Sequence, residues 1–420
     1  MTDTSGNPIQ AHGGDILQQD GYFYWFGEDK TGETTSGHFV GVNCYRSADF
    51  QSWEHRGAVL TPQENTNISS ASVVERPKVL YNDKNDEYVM WFHSDSSNYG
   101  AAMVGVATSK TVDGDYIWKG SFKPFGTDSR DMTVWKDTDG AAYLIFASDG
   151  NADLKLASLD ADYYNVDTML YTWTQVFWEA PGVFKIDGTY YLLYSRQDGW
   201  TPTDNFYMSA ASLSGPWSDP VLLSPANTYA YNTQNAYDIT ITGSKGTVYL
   251  YYGDHWNAPN LGASTYSFYP VIYNGSGLSL HRTQGWSLDV SAGTWADLPY
   301  TTVPTDDFTD SAVSSCTSCS SGKTATLNST SSISFAWTRS AGAKVLSLKY
   351  AYSGGKQAWK TVEVFVDGAA LLESTRSEDA YFDAPIQVSL AENSTVKLVL
   401  LDPTTVPAFV TSVDVFDRDV

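Results

Sequence analysis

The chain has 420 residues, 42% hydrophobic and 14% aromatic, with 25 Lys plus Arg against 48 Asp plus Glu and a formal net charge of -23. Phosphate-rich partners, nucleic acid or an anionic membrane, would be repelled by such a chain, and no apolar run of about 18 residues offers a membrane-spanning helix. A neutral, hydroxyl-rich ligand fits better, because carboxylates accept hydrogen bonds from hydroxyls and aromatic faces cover sugar rings; acidity that serves solubility alone is the plain alternative.

Taken in chain order, the predicted elements repeat one pattern. GYFYWFGED from Gly21 is an aromatic burst of strand length, followed by the lighter alternating run HFVGVNCYRS from His38. The pair recurs as DEYVMWFHSD from Asp86 with AAMVGVATS from Ala101, GAAYLIFASD from Gly140 with ADLKLASLD from Ala152, GTYYLLYSRQ from Gly188 with NFYMSAASL from Asn205, and GTVYLYYGDH from Gly246 with GASTYSFYPV from Gly262. A spacing of roughly 50 to 65 residues suits one four-stranded blade per copy, so five copies predict a five-bladed β-propeller. Each burst with its lighter run reads as adjacent antiparallel strands, and no segment has sustained helical periodicity. Near residue 300 the texture changes: residues 298–307 carry two prolines and no periodicity, as a linker would. SISFAWTR, KVLSLKYAYS, KTVEVFVDG, IQVSLAE, TVKLVLLD and FVTSVDVFD then predict a β-sandwich. The expected fold is all-β, a propeller over residues 1–300 followed by a jelly-roll sandwich over residues 301–420.

A propeller axis gathers residues from every blade, so acids just ahead of the aromatic strands are the candidates for chemistry. Glu179, in Phe-Trp-Glu-Ala-Pro-Gly, has aromatic and proline neighbours that imply a low dielectric, which keeps a carboxyl protonated and ready to donate to a glycosidic oxygen. Asp131 and Glu75 hold equivalent places in blades three and two. Each has an adjacent arginine, Arg130 or Arg76, whose simple role would be to neutralise it.

The five phrases, the Arg-Asp of blade three and the Glu-Ala-Pro-Gly of blade four together resemble glycoside hydrolase family 43, inverting enzymes on five-bladed propellers. The resemblance implies Glu179 as general acid and Asp131 as the residue that tunes and orients it. The family's usual base, an Asp at the opening of blade one, is missing: if Ile16 and Leu17 keep the family register, its position falls on Gly13 or Gly14. The His-Gly-Gly opening resembles the exo-β-1,3-galactanase branch, in which a blade-five Gln takes the base's place, here Gln234. A neutral amide would need an imidic-acid tautomer to accept a proton. Direct participation by Gln234 is the expectation; holding the water while Glu75 takes the proton is the alternative, and Asp15 as a conventional base is the rival. Inversion asks for about 6.5 to 9.5 Å between acid and base.

Glu28, Glu75, Tyr99, Asp131 and Asn151 are expected to bind the terminal galactose, with Trp200 lining the next subsite. Two other readings stay open: an arabinofuranosidase or β-xylosidase of the same family, and a non-catalytic galactan-binding lectin. The C-terminal strands resemble a family 35 carbohydrate-binding module, which implies a structural calcium on Asp307 or Asp310 with Asp414; catalysis needs no cofactor. Cys316 and Cys319, in Cys-Thr-Ser-Cys, read as a tight disulfide, a redox pair or half a zinc site; lacking a second Cys pair or a nearby His, a local disulfide is expected. Cys44 reads as a buried free thiol. Sequons at Asn67, Asn274, Asn328 and Asn393, with the acidity, favour a secreted, monomeric glycoprotein acting on β-1,3-galactan, the arabinogalactan main chain.

Overall fold

The computed structural model describes residues 1–33, 37–283, 285–309, 312–315, 323–327, 332–352, 359–367, 369–376, 382–400 and 408–417. Two compact units emerge, one of residues 1–282 with 289–294, the other of residues 283–288 with 295–420. Each is built almost wholly of antiparallel strands.

The first unit contains five four-stranded sheets, each a meander of consecutive strands. The aromatic bursts become the second strands: Tyr22–Glu28, Glu87–Ser96, Ala142–Ser148, Thr189–Arg196 and Thr247–His255. Their lighter companions pair with them as third strands, as the sequence predicts. Asp-Gly turns lead into the second strands of blades one and four, with positive φ at both residues (Asp20 and Gly21, Asp187 and Gly188), the backbone that matches the twist of a tight hairpin.

Second strands are apolar on both faces because each lies between two neighbouring sheets. In Glu87–Ser96, Met90 and Phe92 join the core shared with blade one, whereas Val89 and Trp91 join the core shared with blade three. Side chains alternate across a strand, so one aromatic run serves two interfaces. Blades three and four meet at Ile145, Val183, Leu192 and Tyr194, and blades four and five at Phe184, Leu193, Tyr251 and Val271. Between blades five and one, Trp25 packs edge-on against Tyr252, Tyr266 and Phe268 at centroid distances of 5.4, 4.8 and 5.4 Å.

First strands line the axis: His12–Gln19, Ser72–Asn82, Met132–Lys136, Trp178–Ile186 and Gln234–Thr242. Each packs against the next and the fifth against the first, closing the ring. Four of them shift register near their start, between His12 and Asp15, Glu75 and Lys78, Glu179 and Gly182, and Asn235 and Tyr237. Such bulges re-aim side chains at a sheet edge. Gly13, Arg76 and Ala180 have φ of 55°, 53° and 53° within these bulges; for Arg76 and Ala180 this left-handed backbone costs about 1–3 kcal/mol each.

The second unit is a β-sandwich. A six-stranded and a four-stranded sheet share a core that includes Leu327, Phe335, Leu346, Val364, Leu398 and Val413. The linker expected over residues 298–307 instead carries a strand, Tyr300–Pro304, paired with Ala408–Asp417. Long-range pairing and the burial of Val303 in the sandwich core override its weak local pattern, and its closing proline sits on a strand with one neighbour among the described residues, where a missing N–H is tolerated.

Candidate active site

The bulges turn Arg76, Glu179 and Gln234 into one buried network at the axis. Gln234 Nε2 donates to Glu179 Oε1 at 2.9 Å. Its carbonyl Oε1 accepts Arg76 Nη2–H and Trp256 Nε1–H, both at 2.8 Å. Arg76 also donates to Asn235 O at 3.0 Å and pairs with Asp131 Oδ2 at 2.9 Å. Asp131 Oδ2 in turn accepts the N–H of Ala180, the residue after Glu179, at 3.0 Å. Arg76 therefore does not neutralise its neighbour Glu75: the positive φ at Arg76 directs its guanidinium across the axis. Arg130 likewise donates to Tyr99 O rather than to Asp131.

Glu179 is 6% exposed. Burial raises its carboxyl well above the ordinary range, the Asp131 charge adds to the rise, and the Arg76 charge only partly opposes it. A carboxyl so placed is biased toward its protonated form, the form able to donate. Glu179 and Gln234 are hydrogen-bonded to each other, far inside the separation that leaves room for a water between an inverting acid and its base.

Around Glu75 lies a second cluster. Its Oε2 is 3.1 Å from His93 Nδ1, and its Oε1 accepts the Tyr99 hydroxyl at 2.8 Å. Burial alone would raise this carboxyl, but the His93 hydrogen bond and the Lys30 charge outweigh it and bring it down to about 2. Lys30 Nζ is 2.7 Å from Glu28, 3.2 Å from Glu33 and 4.0 Å from Glu75. Burial works against its charge, and those three carboxylates more than restore it. The same ammonium lies 5.2 and 5.8 Å from the ring centroids of Trp200 and Trp256, an arrangement favoured by the negative faces of the indoles.

The position where a blade-one base was expected is occupied. A Cβ on Gly13 would lie 2.4 Å from Glu28 Oε1, and one on Gly14 would lie 1.8 Å from Phe26 O. The Gly13 N–H donates to Asp254 Oδ2 at 3.0 Å, and His12 Nδ1 is 3.3 Å from Asp254 Oδ1. Asp15 accepts the Val79 N–H at 2.8 Å, and burial pushes it up to about 7 against the Lys78 charge.

Thus Glu28, Glu75, Tyr99, Asp131, Glu179, Trp200 and Gln234 fall into two adjoining clusters. Asn151 is buried at a blade-three turn, and its Oδ1 has no hydrogen-bond partner among the described residues. Sequence reasoning missed Lys30, His93, Asp254 and Trp256. All four lie in or just after the aromatic phrases, a signal that marks strands rather than chemistry. Beneath the network, Gly182 leaves room for blade five: a Cβ there would lie 1.8 Å from Asp238 Oδ2 and 2.3 Å from Asn235 Nδ2. Gly182→Ala is expected to cost about 1–3 kcal/mol, read from urea unfolding; unchanged stability would contradict this packing.

In the second unit, Asp414 is buried and accepts the Thr302 hydroxyl, whereas Asp307 is exposed in the turn Thr305–Asp307. Among the described residues no group of three or more His, Cys, Asp or Glu is placed to hold a metal ion. Asp310, Asn328, Cys316 and Cys319 lie outside the described residues. Cys44 is buried and free, and Asn67, Asn274 and Asn393 are exposed.

A family model for glycosyl hydrolases family 43 matches residues 7–198 and 169–283. The structure is similar to an exo-β-1,3-galactanase from Phanerochaete chrysosporium, solved with galactose and, in two variant forms, with β-1,3-galactotriose. Identity is 38%, coverage 99% of this chain and 98% of that one, and the TM-score 0.89. An exo-β-1,3-galactanase from Clostridium thermocellum is 28% identical over 95% of this chain and 98% of its own, with a TM-score of 0.66. A family 43 β-1,3-galactosidase solved with galactodeoxynojirimycin is 29% identical over 68% of this chain and 98% of its own, with a TM-score of 0.61. A comparison with curated proteins gave no match. The chain is a glycosidase, and it belongs to glycosyl hydrolase family 43.

Proposed function

We propose that the protein is a secreted exo-β-1,3-galactanase that removes galactose from the non-reducing end of β-1,3-galactan with inversion. The observation that carries this reading is the Glu179–Gln234–Arg76–Asp131 network, with Glu28 filling the place of a blade-one base. Its likeness to the galactanases supports the choice of substrate. Asp15, bonded to Val79, is a poor substitute for the missing base, which weighs against a conventional arabinofuranosidase or β-xylosidase.

Glu179 gives its proton to the glycosidic oxygen as the bond to C1 breaks. A water adds to the opposite face of C1, and the proton it sheds leaves through a carboxylate. Gln234 holds this water rather than accepting its proton. Its Oε1 already accepts from Arg76 and Trp256, neither of which can receive a hydrogen bond there, so an imidic-acid hydroxyl would face two donors. For the sugar to enter, the bond between Gln234 and Glu179 opens. Glu75 takes the proton: an oxygen newly bonded to C1 is a strong acid, so even a carboxyl brought down to about 2 can accept from it.

The C-terminal sandwich serves as a family 35 carbohydrate-binding module, raising the local concentration of enzyme on the polymer. Incubation with β-1,3-galactan and with arabinoxylan, followed by NMR, tests the proposal. Initial release of α-galactose from galactan alone is expected; β-galactose would sink inversion, and pentose from arabinoxylan would sink the substrate assignment.

A further inference from the structure

Glu75 belongs to a chain of three buried groups. His93, 1% exposed, stands between two carboxylates: Nδ1 is 3.1 Å from Glu75 Oε2 and Nε2 is 2.9 Å from Asp95 Oδ2. Asp95 is fixed from behind, since its Oδ1 accepts the N–H groups of Ser96, Ala101 and Ala102 at 2.8, 2.7 and 2.8 Å. On the other side of Glu75 stand Tyr99, whose ring stacks on His93 at 6.0 Å, and Lys30, itself shared with Glu28 and Glu33.

An imidazole can donate from both nitrogens only as the cation. We propose that His93 is a positioning residue: as an imidazolium anchored by Asp95, it aims the Glu75 carboxylate at the sugar, and loss of its proton releases that aim. This rests on the reading of Glu75 as a group of the galactose pocket. Neutral His93 would donate to one carboxylate and turn a lone pair toward the other. Burial disfavours the cation, but the hydrogen bonds to Asp95 and Glu75 outweigh it and raise His93 to about 9. Lys30 and Tyr99 both stay protonated beyond that pH, since their shifts are upward. Glu28, raised by burial to about 7, ionises before His93 does, and Glu33 is a carboxyl raised by the same cause. Of the two groups hydrogen-bonded to Glu75, His93 and Tyr99, His93 is therefore the one whose value of about 9 lies between about pH 8 and about pH 10.

The test uses the full chain carrying Glu179→Gln, in which the general acid cannot titrate. Calorimetry with β-1,3-galactobiose from about pH 8 to about pH 10 should show a weakening of about tenfold as the pH rises through the His93 value, the scale of a lost charge-assisted hydrogen bond. Adding His93→Gln, which keeps one donor, should give the weaker affinity at every pH, with the alkaline fall gone. Affinity that is flat with pH in the His93 protein, or unaltered by His93→Gln, overturns the proposal. Imidazole ¹⁵N shifts of the Glu179→Gln protein provide a readout independent of binding: a neutral His93 at about pH 7 also overturns it. If galactobiose binds at no pH while His93 is charged, the galactan reading fails instead.

Discussion

Glu179→Gln is expected to lower turnover of β-1,3-galactan by about 10²- to 10⁴-fold, the range for loss of a positioned general acid. The substitution keeps the volume and an oxygen to accept from Gln234 Nε2, so binding of galactobiose should survive. In the unaltered enzyme the acid works only when protonated, so kcat/KM should fall as pH rises through the raised value of Glu179; that limb should vanish in the variant. The same shift has a stability consequence. A carboxyl raised by folding contributes fully below its unfolded pKa, and the contribution is lost as pH rises through the folded one. Glu179→Gln should therefore raise the melting temperature near neutral pH and leave it unchanged in acid. Turnover of galactan within tenfold of the parent would remove Glu179 from its role.

Arg76→Met should be the most damaging substitution away from the acid. Arg76 is 5% exposed and joins blades two, three and five through Asp131, Gln234 and Asn235. Breaking a buried ion pair by removing one partner costs about 3–5 kcal/mol, so unfolding in urea should shift by that amount. Arg76→Lys separates stability from catalysis: it keeps the charge beside Asp131 but cannot reach all three partners, because an ammonium lacks the planar fork. Near-parental stability with turnover reduced by about tenfold or more is the expected result; full activity in Arg76→Lys would show that the three-way junction is not needed.

The architecture was legible because the same constraint acts five times. Each second strand is pressed between two sheets and must be apolar on both faces, which is why GYFYWFGED and GTVYLYYGDH stand out. Glu75, Asp131, Glu179 and Gln234 were found through their register against those strands and the resemblance they carry. The junctions between them were not. A period of two sends Glu75 and Arg76 to opposite faces, and only the bulge between Glu75 and Lys78 lets both reach the site. His93 and Asp254 were hidden for a different reason: they end aromatic runs whose pattern is fully explained by packing. Tyr300–Pro304 failed as a linker because its strand character depends on residues more than a hundred positions away.

The seam between blades one and five has a bearing on how the enzyme is made. Ala11 N–H donates to the Tyr266 hydroxyl at 2.8 Å, Gln10 Nε2 to Gly262 O at 2.8 Å and Gly13 N–H to Asp254 Oδ2 at 3.0 Å, contacts spanning up to 255 residues of chain. During synthesis, the first blade emerges long before its partner and must wait with that edge unsatisfied, since distant pairings form only after the intervening chain is available. Gln234 and Trp256 arrive with the last blade. A nascent or truncated chain lacking the last blade thus carries Glu179, Asp131 and Arg76 without Gln234 and Trp256, and on the mechanism proposed above it gains the residue that holds the attacking water only when the ring closes.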